Sequence, residues 1–380
     1  MKVALYTIFR CTNYGAVLQA YALARILRGM LGEDAVDVIN HLMDPRDNHL
    51  LGKITNPATP WFQRWRNRRK FAARYVRPDL FEARRGKTIR LIETEIKPTS
   101  RLYRSPEELR RLPPYGTVVV GSDQVWNPGL NHDFGRNPYL ADVLPEAQDR
   151  VAYAASFGVA TLPGPCRTEY ANALRRFRRI TVREESGAAL CEGLTGQRPE
   201  VVLDPTLLLT ADDWRATVGQ ADAEDFLAAY WVRTVEQSDV AALESLARAL
   251  GHPVRLMSAG PLPKLTFPAC IEPCIDADPF DFVRIMSSSS AVVTDSFHGL
   301  QFATLFRKPF LALGNLSDPG SNASRLTDFC TRYGIPGGVQ DIAEFRAQPS
   351  PRLAAFDTFA ASAFDADRIR SLEALKGILP

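Results

Sequence analysis

The chain has 380 residues, more than twice the roughly 150 of an ordinary domain, so two domains are expected. Its 46% hydrophobic and 23% charged residues exclude a disordered or fibrous protein, and a net charge of +3 is too small for bulk attraction to nucleic acid. No run approaches the ~18 apolar residues of a membrane-spanning helix, and the opening run from Val3 to Phe9 is too short for a signal-peptide core, so the chain reads as cytosolic. Six cysteines are too sparse for a disulfide framework. Cys270 and Cys274 have no second Cys or His pair nearby to complete a zinc site, so no metal is expected.

In chain order, residues 2–7 read as a first strand. Val17, Leu18, Tyr21, Ala22, Ile26 and Leu27 then follow helical spacing from Gly15 to about Gly29, and a strand over 36–39 closes one βαβ unit. After an irregular middle section, strands are expected at 117–120, 151–155 and 180–182, with helices over 167–178 and opening near Glu184. Asp204-Pro205 and the polar stretch to 225 place a boundary there. The alternation restarts with strands at 226–232, 254–257, 291–294 and 310–313, and helices at 237–250, 280–287 and 299–306. Such alternation predicts an α/β fold of two Rossmann-like domains facing a cleft. The N-terminal domain is placed at 1–210 and the C-terminal domain at 211–345. A helical tail over 346–380 follows.

One segment breaks the charge balance. Residues 61–87 carry eight Arg and two Lys against Asp79 and Glu82, with Trp61, Phe62, Trp65, Phe71 and Tyr75 interleaved. One reading is a helix with a packed aromatic side and a solvated basic side. Another is peripheral contact with an anionic membrane or a lipid-linked ligand. RNA stacking is a third, less favoured reading.

Ligands of open α/β sheets bind beyond the carboxyl ends of the strands, so the strand-to-helix loops are the candidate sites. Cys11 to Gly15 offers Thr12 or Asn13 as a helix cap and Gly15 for close backbone approach. Gly121 to Pro128 presents Ser122, Asp123, Gln124, Trp126 and Asn127 after an all-valine strand. Ser156-Phe157-Gly158 and Arg183 form a third group. There Arg183 is either an anion ligand or a surface ion pair with Glu184 or Glu185. Val292 to Gly299 runs a strand into a turn and a helix start near Gly299, where backbone amides attract anions. Ser296 adds a hydroxyl, and His298 is one of only five histidines. No Walker loop, GxGxxG or Ser-His-Asp order stands out.

Seven ordered stretches together resemble the polysaccharide pyruvyl transferase family: NYGAVLQAYAL from Asn13, VVVGSDQVWNP from Val118, YAASFG from Tyr153, VREESG from Val182, VLDPTLLL from Val202, VVTDSFHGLQFA from Val292 and SRLTDF from Ser324. The resemblance spans about residues 2–335. It implies a fold similar to GT-B glycosyltransferases and a transferase in polysaccharide or glycoconjugate biosynthesis. The reaction implied is transfer of a pyruvyl group from phosphoenolpyruvate, as co-substrate, to a sugar, with ketal formation and no further cofactor. Arg183 and His298 match the family's donor positions.

On that basis Ser296 and the amides near Gly299 are expected around the phosphate, Arg325 on the carboxylate, and Phe297 among the substrate-binding residues. His298 is the general acid or phosphate partner, and Asp123 or Asp295 accepts the hydroxyl proton. Ser156 is placed among the substrate-binding residues, and Asn13, Gly15, Gln124 and Trp126 line the acceptor side, with a sugar stacked on the indole. The acceptor is a sugar, with a lipid-linked one at the inner face of the membrane as the version that would use residues 61–87. Cys11-Thr12 and Gly116-Thr117 depart from the family pattern. The competing expectation is a GT-B glycosyltransferase using a nucleotide sugar.

Overall fold

The computed structural model describes residues 2–42, 60–130, 137–145, 149–219, 222–317 and 323–380. Residues 220 and 221 of the expected boundary stretch lie outside these. Twelve strands form two six-stranded sheets among the described residues. The first contains β1 (Val3–Tyr6), β2 (Val36–Val38), β3 (Thr117–Val120), β4 (Asp149–Ala155), β5 (Arg179–Val182) and β6 (Glu200–Val201), in the order β2-β1-β3-β4-β5-β6. The second contains β7 (Leu227–Trp231), β8 (Val254–Ser258), β9 (Ile271–Pro273), β10 (Ala291–Thr294), β11 (Phe310–Gly314) and β12 (Val339–Asp341), in the order β12-β11-β10-β7-β8-β9. Every pairing within them is parallel. β1, β3, β7, β10 and β11 are buried along their whole length, as parallel strands covered on both faces must be, hence their unbroken apolar runs.

Strand order reverses between β1 and β3 in the first sheet and between β7 and β10 in the second. Loops diverge at such switch points and leave a crevice there. Rings from the two halves meet beside it. Tyr14 opens the Tyr14–Leu31 helix after β1, and its ring lies 5.4 Å from Tyr230 at the end of β7 and 5.2 Å from Phe282. Residues of both halves therefore share one apolar core. That helix starts where the Asn13 side chain accepts the Gly15 amide at 3.0 Å, and Gly32 follows its last residue at φ +100°, a conformation that suits glycine.

The expected helical tail ends in the Ala361–Ile378 helix, which returns to the first half. There the Leu203 amide donates to Ser371 Oγ at 2.9 Å and Arg178 donates to the Ile378 carbonyl at 2.8 Å. In the middle section two helices, Trp61–Arg74 and Pro78–Leu91, cover most of 61–87, in keeping with the helix reading of that segment. From the second of these, Arg84 is fully enclosed. It donates to the Thr12 carbonyl (3.0 Å) and Tyr14 hydroxyl (3.0 Å) of the first half, and to the Ser258 carbonyl (2.7 Å) and Ala259 carbonyl (2.5 Å) of the second. Among the described residues no helix is long and apolar enough to cross a membrane.

Candidate active site

The first half builds its side of the site on a distorted stretch of sheet. β4 shifts register between Ala152 and Ala155, with Ala154 at φ +51°. Asp123 takes φ +68° in the facing loop, a cost that persists only when surrounding bonds over-determine it. Those bonds are present: the Ser156 amide donates to the Asp123 carbonyl at 3.0 Å, and the Trp126 amide to the Ser156 carbonyl at 3.0 Å. The Ser156 hydroxyl donates to Glu184 Oε1 at 2.6 Å and accepts the Gly158 amide at 3.0 Å. Gln124 and Asn127 lie over Gly158, whose φ of +67° and lack of a Cβ admit them.

Arg183, one residue beyond β5, carries its guanidinium inward with the side chain 2% exposed. Its Nη1 donates to Asp204 Oδ2 at 2.7 Å, while Nη2 and Nε stand 3.6 Å from Asp123 and Glu184. Asp204 is itself fully enclosed. It also accepts the Ser122 hydroxyl (3.1 Å), and its Oδ1 takes the Thr206 amide (3.0 Å) and hydroxyl (2.8 Å). Burial would raise the Asp204 carboxyl, but His298, Arg183 and the Thr206 amide outweigh it and hold the group far below the usual carboxylate range. The same carboxylates outweigh burial at Arg183 and raise it further.

From the second half, β10 runs into the Phe297–Leu305 helix, which starts two residues earlier than its sequence indicates because Ser296 Oγ caps the Gly299 amide at 3.3 Å. This start carries His298 across to the first half, where Nε2 lies 3.5 Å from Asp204 Oδ2. His298 Nε2 and Arg183 Nε are enclosed polar atoms without a hydrogen-bond partner. Two guanidiniums lie near the Phe297 ring, Arg183 5.0 Å and Arg325 5.9 Å from its centroid. Burial, opposed by Glu184 and helped by Arg183, pushes Arg325 down to about 10.

The fold thus brings Arg183, His298, Phe297, Arg325 and Asp123 to one place, with Ser156 linked to it through Glu184. Asn13 sits beside them, its Oδ1 accepting the Tyr230 hydroxyl at 3.3 Å. Several expected roles change. Trp126 is fully buried, with Nε1 donating to the Tyr139 carbonyl at 3.0 Å and its ring against Phe157 and Phe177, so it offers no face to a sugar. The space above Gly15 is filled by the His298 ring rather than left for a ligand, and Gly299 lacks a side chain because Thr294 occupies its Cβ position. Gln124 remains half-exposed, bonded to Asn127 at 2.5 Å.

Asp295 accepts the Val232 and Arg233 amides at 2.6 and 3.3 Å, which commits it to the loop after β7. Burial, only partly offset by those amides and Arg233, pushes it up to about 6. Arg183 is not a surface ion pair, and Glu185 pairs instead with Arg198 at 2.8 Å. Asp204 is the residue that sequence reasoning missed. It stands in the VLDPTLLL stretch, where Asp-Pro reads equally well as a boundary. Among the described residues no cluster of three His, Cys, Asp or Glu side chains is arranged to hold a metal ion.

Comparison with known proteins covers six of the seven stretches, SRLTDF from Ser324 lying beyond the match. The family model described as polysaccharide pyruvyl transferase matches residues 13–317. No curated protein sequence matches the chain. Among solved structures, similar folds include the UDP-GlcNAc 2-epimerase of Methanocaldococcus jannaschii, 12% identical over 99% of this chain and 100% of that one, with a TM-score of 0.46. The S. aureus MnaA–UDP structure is 11% identical over 100% and 97% of the chains, with a TM-score of 0.46. The E. coli heptosyltransferase WaaC with ADP is 13% identical over 84% and 89%, with a TM-score of 0.37.

Proposed function

We propose that this chain, which belongs to the polysaccharide pyruvyl transferase family, moves a pyruvyl group from phosphoenolpyruvate to hydroxyls of a sugar acceptor and closes a ketal. The observation that carries the reading is the meeting of Arg183, Asp204 and His298 from two halves of the chain, beside Arg325 and the first turn of a helix. Phosphoenolpyruvate is a compact polyanion and calls for this kind of convergence. Arg183 keeps one nitrogen on Asp204, so its orientation is set before a ligand arrives, and its Nε, 3.6 Å from Glu184, makes no hydrogen bond that an anion would have to displace. Arg325, on the same aromatic ring, supplies the second guanidinium for the donor carboxylate. The Phe297 and His298 amides, in the first turn, face the phosphate.

The chemistry proposed starts with a proton added to the methylene carbon of the donor, which leaves the adjacent carbon cationic. A sugar hydroxyl oxygen bonds to that carbon and gives its proton to a base. A second hydroxyl then displaces phosphate, its own proton leaving with the phosphate or to the base, and the ketal closes. His298 serves as the acid, or as donor to the leaving phosphate, with Asp204 holding the ring in place. Asp123 is the base this reading keeps, because Asp295 is committed to backbone amides. The acceptor lies on the side of Asn13 and Gln124.

Calorimetric titration of phosphoenolpyruvate, beside a UDP-sugar control, tests the donor. Binding of phosphoenolpyruvate alone, weakened at least about tenfold by His298→Ala or Arg183→Met, is the expected result for groups in direct contact with an anion. Binding of the UDP-sugar alone would replace pyruvyl transfer with glycosyl transfer.

A further inference from the structure

We propose that the outward face of the Trp61–Arg74 helix docks on an anionic lipid bilayer. The helix rests on the protein through Asn67 and Phe71, which are buried, with Gln63 and Arg64 half-buried beside them. At 100° per residue the opposite face carries Trp61, Trp65 and Phe62, exposed by 74, 57 and 54%. A helix that only had to pack would turn those rings inward. Arg68 flanks them on one side, Arg69 lies among them, and Arg66 and Lys70 flank the other. The helix has six cations and no acidic residue. No ion pair joins any of the six to another described residue, although neighbours such as Arg77, Arg85 and Lys87 all have carboxylate partners. The Arg69 guanidinium instead lies 4.9 Å over the Trp65 ring.

Aromatic rings at headgroup depth, framed by cations facing lipid phosphates, are what an interfacial helix presents. Charge complementarity selects the occupant. A second copy of this face would set six cations against six, whereas an anionic surface neutralises them. The helix is also placed to make such docking useful. Phe71 packs into the core of the second sheet, the Val76 amide donates to the Leu262 carbonyl at 2.9 Å, and the Lys264 amide to the Arg74 carbonyl at 2.9 Å. That loop leaves the carboxyl end of β8. In a parallel sheet this is the edge from which β10 presents His298, so docking here brings a membrane-borne acceptor to the same edge.

The experiment is co-sedimentation of the full chain with phosphatidylcholine vesicles, with and without phosphatidylglycerol. It compares wild type, a Trp61→Ser, Phe62→Ser, Trp65→Ser variant, and an Arg66→Gln, Arg68→Gln, Arg69→Gln variant. Wild type is expected to bind only the phosphatidylglycerol vesicles, with its tryptophan emission shifting to the blue. Each triple variant is expected to lose at least about tenfold in affinity. Binding to phosphatidylcholine alone, or binding unchanged in the aromatic variant, overturns the proposal. So does a wild type that ignores vesicles but captures an RNA oligonucleotide, or that forms a dimer abolished by the aromatic variant. Phosphoenolpyruvate affinity is measured without lipid, so failure of docking and failure of the donor assignment are separate results.

Discussion

Asp204 and His298 belong to different halves of the chain, and Asp204 Oδ2 lies 3.5 Å from His298 Nε2. The same oxygen takes the Arg183 guanidinium at 2.7 Å. One enclosed carboxylate therefore positions both candidate donor-binding side chains. Removing its charge leaves a buried arginine without its closest counter-ion. Asp204→Asn is expected to cost about 3 kcal/mol of stability, read from urea unfolding. An Asp204→Asn, Arg183→Met pair should recover part of this, which a double-mutant cycle would show.

Gly15 tests the contact between the halves from the other side. A methyl group there meets the His298 ring, although its helical backbone suits alanine. Gly15→Ala is expected to lower turnover at least about tenfold through displacement of the ring while the helix persists. Turnover measured beside a thermal melt separates these effects. A variant with unchanged turnover would place the ring elsewhere during catalysis.

Asp295 makes stability depend on pH in a defined window. Its folded value, raised to about 6 from an ordinary 3.8, means that the folded protein holds a proton the unfolded chain has already released. Stability then falls as pH rises from about 4 to about 6, by up to about 3 kcal/mol. Asp295→Asn should flatten that slope in denaturant titrations across the window. Asp204 acts with the opposite sign, its contribution being lost only as pH falls below the ordinary carboxylate range.

Arg84 donates to four oxygens, two from each half. Arg84→Met leaves two buried carbonyls, a half-buried one and a buried hydroxyl short of a donor, so a loss of about 3 kcal/mol is expected. Faster proteolytic nicking between the two sheets would accompany it. Arg84→Lys keeps the charge but cannot reach four acceptors, and it should rescue only a small part.

Much of the scaffold was legible because burial leaves a periodic mark. The all-valine run of β3, the helix over 237–250 and the strand over 291–294 were read with bounds at or within a residue of those observed. Parallel strands covered on both faces need unbroken apolar runs, and amphipathic helices need a 3.6-residue period. Short edge strands such as β6 and β9, two or three residues long, leave too few positions for any period to show. At the candidate site, Arg183 and His298 drew notice because their residue types stand out in strand-end loops, and the structure brings both to Asp204. Trp126 stood out equally, yet its indole lies in the core, since sequence carries no sign of which way a loop side chain turns.

What the sequence determined by itself was local: the alternation of strands and helices, the loops able to hold an anion, and a basic aromatic segment that departs from the rest. These follow from the chemistry of neighbouring residues. Only the tertiary structure decided that Asp204 is the hub, that Gly15 makes room for His298, that Arg84 fastens the halves, and that three aromatic rings at 61–65 face outward. Each depends on residues dozens to hundreds of positions apart meeting in a low-dielectric interior, where a charge must find its partner and a missing methyl group decides which ring fits.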